Sequence, residues 1–321
     1  MIGFLVRRLI QAVIVILGVS IIVFALAQLV PGGEAKAVLQ TRATPALIAQ
    51  FNRKNGLDLP IWDQLYHYIK GLVWPIWRPN LGYSYKFNQS VRSVIAERLP
   101  RTLLLVGVST VVSLIIAIPL GIIQVVRRNT ITDYTLTGLS FIFYAMPAFL
   151  LGTLLIIFFA LDHHVFPVSP PTGSAWEIFT DPRAFVLPLI TLCALTIASF
   201  SRYMRSSMMD ALAEDYVRTA KAKGASNQRV LYGHALRNAL IPILTLVGLS
   251  LPAIVSGALI TENVFNYPGM GLLTVQAAEN VDIPLVLGTT LVITVATVIG
   301  SLLADILYAV ADPRIRFGSS S

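Results

Sequence analysis

Apolar residues in this sequence fall into long blocks separated by shorter polar connections. From Leu9 to Val30 only Gln11, Ser20 and Gln28 are strongly polar, and as a helix the block reaches about 33 Å, enough to cross a hydrocarbon core. Further blocks of spanning length run from Thr102 to Val126, Tyr134 to Leu161, Ala184 to Phe200, Ala239 to Ile260 and Pro284 to Val310. Six transmembrane helices are expected, and the fold class is an all-α polytopic membrane protein. The first block follows Arg7 and Arg8, outruns an ordinary signal-peptide core and ends without a small-residue cleavage site, so it reads as a retained span.

Two segments between the blocks carry periodic patterns of their own. Within 31–101, Pro45 to Asn55 has helical spacing, and Trp62, Leu65, Tyr66, Ile69 and Leu72 recur at three and four. Segment 211–237 reads as a water-compatible helical hairpin. Asp210, Glu214 and Asp215 gather at the start of its first helix and Arg218, Lys221 and Lys223 at its end, complementing the helix dipole, and Gly224 suits a left-handed cap. Glu214 and Arg218 are spaced for an i,i+4 pair. Ala213, Tyr216, Val217, Ala220 and Gly224 form a stripe of mostly small residues that another surface can approach closely. Ser226 suits the N-cap of a second helix, expected to run to an interruption at Pro242. The chain therefore divides into 1–30, an insertion at 31–101, and a five-helix core at 102–321 that contains the hairpin.

Composition agrees: the chain is 55% hydrophobic and 12% charged, with a mean hydropathy of +0.74, too apolar for an ordinary soluble domain. The formal net charge of +8 comes from basic residues that lie mostly between apolar blocks, a topological pattern that speaks against nucleic acid as a partner. Arg7, Arg8, Arg127, Arg128, seven basic residues from Arg202 to Arg237, Arg314 and Arg316 fall on one side of the bilayer, against Arg183 alone in the short connections of the other. By the positive-inside rule both termini and the hairpin are cytoplasmic, and 31–101, too long to count under that rule, is outside. Pro119, Pro147, Pro188, Pro242 and Pro252 within or near the spans predict kinks, and Ala253 with Gly257 offers a small-residue contact. The single cysteine, Cys193, excludes an intrachain disulfide.

Several separated motifs resemble one family. Asp215-Tyr216-Val217-Arg218-Thr219-Ala220, Ala222-Lys223-Gly224 and His234-Ala235-Leu236-Arg237-Asn238 are similar to the cytoplasmic signature loop of ABC importer permeases, in the dipeptide, oligopeptide and nickel branch. The resemblance continues through Gly56-Leu57-Asp58-Leu59-Pro60, Asn80-Leu81-Gly82-Tyr83-Ser84, Arg98-Leu99-Pro100-Arg101-Thr102, Thr261-Glu262-Asn263-Val264-Phe265-Asn266-Tyr267-Pro268-Gly269-Met270-Gly271 and Asp312-Pro313-Arg314-Ile315-Arg316. Two departures are visible: Arg218 stands where the broader family has a glutamate, and Pro31-Gly32-Gly33-Glu34 where the branch usually has Pro-Gly-Asp-Pro. The resemblance implies a type I importer permease in the cell membrane that forms half of a peptide pathway, with partners in a second, homologous permease, two ATPase subunits, an extracytoplasmic substrate-binding protein and membrane lipid. It implies an ATPase-coupling helix made of Asp215, Tyr216, Val217, Arg218, Thr219, Ala220, Lys221, Ala222 and Gly224. Tyr216, Val217 and Ala220 are expected to enter an ATPase groove. Glu262, Phe265, Asn266, Pro268, Gly269 and Gly271 are implied as an outer gate or binding-protein contact.

Other chemistry finds little support. No lysine follows a glycine, so no Walker A loop exists here, and neither Gly-x-Ser-x-Gly nor His-Glu-x-x-His occurs; no cofactor is implied, and ATP hydrolysis is expected in a separate subunit. His163 and His164 adjoin without nearby cysteines or spaced carboxylates, so no metal site is assigned. Asp305, ionisable within a span, is expected to pair with a cation such as Arg202 or Arg205 rather than bind substrate. An ion-coupled secondary transporter or channel needs intramembrane relays or inverted repeats, of which only Asp305 is present. A permease for nickel or another small solute also stays open.

Overall fold

The computed structural model of the chain describes residues 2–31, 33–73, 79–169, 182–256 and 258–311, with side chains described over 6–31, 33–39, 41–73, 79–169, 182–248, 250 and 258–303. Gly257, the 312–316 motif and the side chains of Pro252, Ala253 and Asp305 lie outside these residues. In chain order the helices are α1 (Ile2–Ala27), α2 (Gly33–Leu39), α3 (Pro45–Asn55), α4 (Ile61–Val73), α5 (Val91–Val126), α6 (Ile131–Ala145), α7 (Ala148–Leu155), α8 (Arg183–Ala213), α9 (Asp215–Ala222), α10 (Leu236–Ser256), α11 (Leu259–Val264), α12 (Met270–Glu279) and α13 (Ile283–Ala311). Wide π turns continue α7 through Ile156–Asp162 and lead into α10 through Arg229–Ala235. A two-residue hairpin pairs Tyr83–Ser84 (β1) with Gln89–Ser90 (β2).

Five helical stretches are long and apolar enough to cross a membrane: Val6–Ala27, Val91–Val126, Arg183–Ala213, Arg229–Gly248 and Ile283–Leu303. The expected third span is instead broken. α6 and α7 meet at an angle of 101°, and only if this pair counts as one span does the number reach six. The break has a local cause. Met146 is extended at φ −75°, ψ 126° and Pro147 at φ −61°, ψ 135°, because proline has no N–H to donate and clashes with a helical predecessor. Pro119, Pro188 and Pro242 lie inside unbroken helices; Pro242, expected to end the hairpin's second helix, does not.

α5 also departs from expectation, starting at Val91 rather than near Thr102. At 1.5 Å per residue it is about 54 Å long, more than the hydrocarbon thickness. Leu9, Ile10, Val13, Ile14 and Ile22 of α1 are each more than half exposed, a surface suited to lipid or a neighbouring chain.

Packing divides the chain into two compact units, Met1–Arg101 with Pro268–Val298, and Thr102–Tyr267 with Ile299–Ser321. In the first, Val91, Val94 and Ile95 of α5, Met270, Leu273 and Ala277 of α12 and Leu285 of α13 form the core. Gly288 is required there, since a methyl group in its place would collide with Val91 Cγ1. Asp282 opens α13: Oδ1 accepts from the Leu285 N–H at 3.3 Å, and Oδ2 from the Ser84 hydroxyl at 2.5 Å, tying the hairpin to the helix. α3 begins with Thr44 accepting from the Leu47 N–H at 3.4 Å and ends on Gly56 at φ +69°.

Two cores hold the second unit. Ile122 and Val125 of α5 pack with Met204, Met208 and Ala211 of α8 and Ala235, Ala239 and Ile243 around the start of α10. Elsewhere Leu105, Ala160, Phe185, Leu187, Phe265 and Tyr267 cluster. A Cβ at Gly121 would lie 2.6 Å from Met204 Cβ and 2.9 Å from the Ser201 carbonyl, so glycine is what lets α5 and α8 approach.

Candidate functional site: a short charged helix between long ones

α8 stops at Ala213, and Glu214 turns the chain to φ −68°, ψ 151° before α9 starts. Asp210 therefore belongs to α8 rather than to the start of the short helix. The end of α9 is a glycine cap: Ala225 N–H reaches the Ala220 carbonyl at 3.1 Å and Gly224 N–H the Lys221 carbonyl at 2.9 Å, with Gly224 at φ +80°. Ser226 then accepts from the Arg229 N–H at 3.4 Å and starts the next turn, as its side chain suggests. Arg218 pairs at 3.4 Å with Asp215, not with Glu214; both groups are exposed, so the pair contributes little, about 0–1 kcal/mol.

The short helix is fastened to its own chain by its apolar residues. Val217 is only 1% exposed, and the Tyr216 hydroxyl donates to the Ala211 carbonyl at 3.0 Å. α9 packs on the 229–235 turns and the end of α8. This corrects the expectation that Val217 enters a partner's groove: the side chain is already spent on intrachain packing, worth about 1.5–2 kcal/mol. Asp215, Arg218, Thr219, Lys221, Ala222, Lys223 and Gly224 are exposed, while Tyr216 and Ala220 are half-buried at the edge.

Upstream on α8, Arg205 is anchored. Its Nε and a terminal nitrogen donate to the two carboxylate oxygens of Asp133 at 3.2 and 3.0 Å. Asp133, 2% exposed, also accepts from the Asn129 N–H at 3.1 Å and the Thr137 hydroxyl at 3.2 Å. Both oxygens are thus satisfied, as a buried carboxylate requires. The guanidinium of Arg202 lies 4.5 Å from the ring centroids of both Phe141 and Tyr144. Arg202 and Arg205, proposed partners for Asp305, accordingly engage α6. Reasoning from the sequence missed Asp133: it lies 72 residues from Arg205 and beside, not inside, an apolar block.

The residues implied as an outer gate or binding-protein contact are mostly enclosed. In the second unit Glu262 is fully buried and accepts from the Thr102 hydroxyl at 2.8 Å; Phe265 is 1% exposed, and Asn266, at φ +48°, is exposed. In the first unit Pro268, Gly269 and Gly271 are buried around the start of α12. Of the six, Asn266 alone is exposed.

Among the described residues no three His, Cys, Asp or Glu side chains converge as metal ligands. His163 Nδ1 lies 2.7 Å from the Phe158 carbonyl and its ring 4.3 Å from that of Phe158. Cys193 is buried, its Sγ 3.6 Å from the Ser109 carbonyl.

Long apolar helices with one short, capped, charge-covered helix between them are the architecture of a multi-pass membrane protein. Residues 117–317 match the family described as the binding-protein-dependent transport system inner membrane component, and residues 1–106 its N-terminal companion. The chain belongs to that family: it is a permease component of a binding-protein-dependent, ABC-type importer. Over 320 residues it is 35% identical to the oligopeptide transport system permease protein AppB of Bacillus subtilis (strain 168), covering 99% of this chain and 100% of the relative. The dipeptide transport system permease protein DppB of Escherichia coli (strain K12) is 34% identical over 340 residues, covering 98% and 99%. The glutathione transport system permease protein GsiC of Escherichia coli O6:H1 is 34% identical over 322 residues, covering 99% and 100%.

Proposed function

We propose that this chain imports short peptides as one half of a translocation pathway, with a homologous second permease, two ATPase subunits and an extracytoplasmic binding protein completing the machine. The observation that carries the substrate class is full-length similarity to permeases named for oligopeptides, dipeptides and glutathione, itself a tripeptide. Both termini and 211–237 are cytoplasmic in this reading, and 31–101 is outside, because the arginine asymmetry favours that orientation.

In the proposed mechanism the exposed face of α9 (Asp215, Arg218, Thr219, Lys221 and Ala222) meets the ATPase, with Tyr216 and Ala220 at the edge of the contact and Gly224 closing it. Val217 acts through position, holding α9 to the chain. Movement of α9 passes to α8 through Tyr216 and the shared packing, and from α8 to α6 through Arg205 and Asp133. Hydrolysis takes place in the separate ATPase.

The test is uptake by the assembly co-purified with this chain and reconstituted into vesicles. Labelled dialanine and trialanine should accumulate with ATP and the binding protein and not without either. Accumulation of nickel but of neither peptide would overturn the substrate assignment; uptake independent of ATP would overturn the importer mechanism.

A further inference from the structure

The first compact unit holds a half-open cavity of about 590 Å³ between the end of α1, α2, α3, α4 and the start of α13. Its size is that of a small-molecule site. Phe24, Glu34, Asn52, His67 and Tyr68 line it, and among the described residues no lysine or arginine does. Phe24 and Tyr68 stack with ring centroids 5.6 Å apart.

Most polar groups on this wall are already engaged. Gln64 donates to the Leu57 and Leu59 carbonyls at 3.1 and 2.8 Å and accepts from Gln28 at 3.3 Å. Asn55 donates to the Phe51 carbonyl at 2.9 Å and accepts from the Tyr85 hydroxyl at 2.7 Å. Three groups differ: among the described residues the Glu34 carboxylate, the Asn52 amide and the His67 imidazole have no hydrogen-bonding or ionic partner. The surrounding field is negative as well, since Asp282 acts on Glu34.

From this geometry we infer that the cavity binds a primary ammonium group, with Glu34 as its counter-ion, aromatic rings beside it, and the Asn52 amide available to a neighbouring carbonyl. A free carboxylate in a cavity where no lysine or arginine stands among the described lining residues and His67 is the one imidazole favours a cation, and the unspent Asn52 amide can serve a cation that also carries an acceptor. The shared chemistry fits two sources, a peptide amino terminus and a simple alkylamine; only the first rests on the peptide reading. Burial, reinforced by Asp282, pushes the Glu34 carboxyl up to about 7. Among the described residues the other titratable groups around it are Asp282, His67, Tyr68 and Tyr85.

Calorimetry on the chain in nanodiscs with its co-assembling subunits, binding protein omitted, tests this with butylamine, dialanine and N-acetyl-dialanine. Butylamine stays charged throughout, so its affinity should rise about tenfold from pH 6 to pH 8 as Glu34 ionises, and Glu34→Gln should remove at least that factor. Dialanine should bind and N-acetyl-dialanine should not. If the peptide terminus is the source, Asn52→Leu should weaken dialanine and leave butylamine unchanged; if a simple amine is, it should affect neither. The inference is overturned if neither amine binds, if butylamine affinity does not change with pH, or if the acetylated peptide binds equally. The pH comparison uses the unaltered protein, so it decides the matter even if the variant does not assemble. Peptide uptake could fail while butylamine still bound, which separates this site from the transport reading.

Discussion

Replacing Arg205 by alanine should weaken the second compact unit severely. Asp133 has a side chain only 3% exposed, whereas that of Arg205 is 26% exposed. Deleting the arginine leaves a buried carboxylate with the Asn129 N–H and the Thr137 hydroxyl but no counter-charge. Breaking such a pair from one side costs about 3–5 kcal/mol, and the partial exposure of Arg205 favours the lower figure. Exchanging both partners for apolar residues removes the stranded charge, so Asp133→Leu with Arg205→Met should recover most of the loss. The chain carries its own reporter, because Cys193 is its single cysteine and is buried. A thiol-reactive dye that fluoresces on labelling should report unfolding of the purified chain at a midpoint about 6 °C or more lower for Arg205→Ala. The double variant should return toward the parent. An unchanged midpoint in Arg205→Ala, or a double variant as unstable as the single one, would refute the reasoning.

Gly121→Val should abolish recovery of folded protein from membranes, because even a Cβ there meets Met204 Cβ at 2.6 Å, while Gly107→Ala, with open space around it, should be recovered normally. Val217→Asp should release α9 from its own chain and expose 211–237 to limited proteolysis, whereas Arg218→Ala should leave the digestion pattern unchanged. Glu34 is neutral over a wider pH range when folded than unfolded, since its carboxyl rises from 4.5 to about 7. Its stabilising contribution is therefore complete below about pH 4.5 and lost as pH rises through 7. The dye midpoint should fall more steeply from pH 5 to pH 8 in the parent than in Glu34→Gln; equal slopes would contradict that sign.

The membrane helices were legible because long apolar blocks have one stable solution in lipid, and α3 because Thr44, Pro45 and Gly56 mark its ends. The break at Pro147 was legible as a kink, but its 101° was not, since Pro119, Pro188 and Pro242 carry the same local signal inside unbroken helices. Side-chain spacing brought Tyr216, Val217 and Ala220 to one stripe of α9. Spacing does not say whose surface covers a stripe, and residues 229–235 of the same chain pack against α9. Asp133 with Arg205, and the Glu34 cavity, arise from contacts between distant segments that leave no local pattern.

The central claim, that α9 meets an ATPase, is tested most directly by a single cysteine at exposed Ala222 in a Cys193→Ser background. Treatment of the native assembly in membranes with a short bismaleimide, after cysteine placement on the ATPase face, should give an adduct with the mass of this chain plus one ATPase subunit. Its yield should change when nucleotide is bound. Absence of that adduct from an assembly that still hydrolyses ATP, together with labelling of the Ala222 cysteine by an impermeant reagent from outside intact cells, would contradict the account.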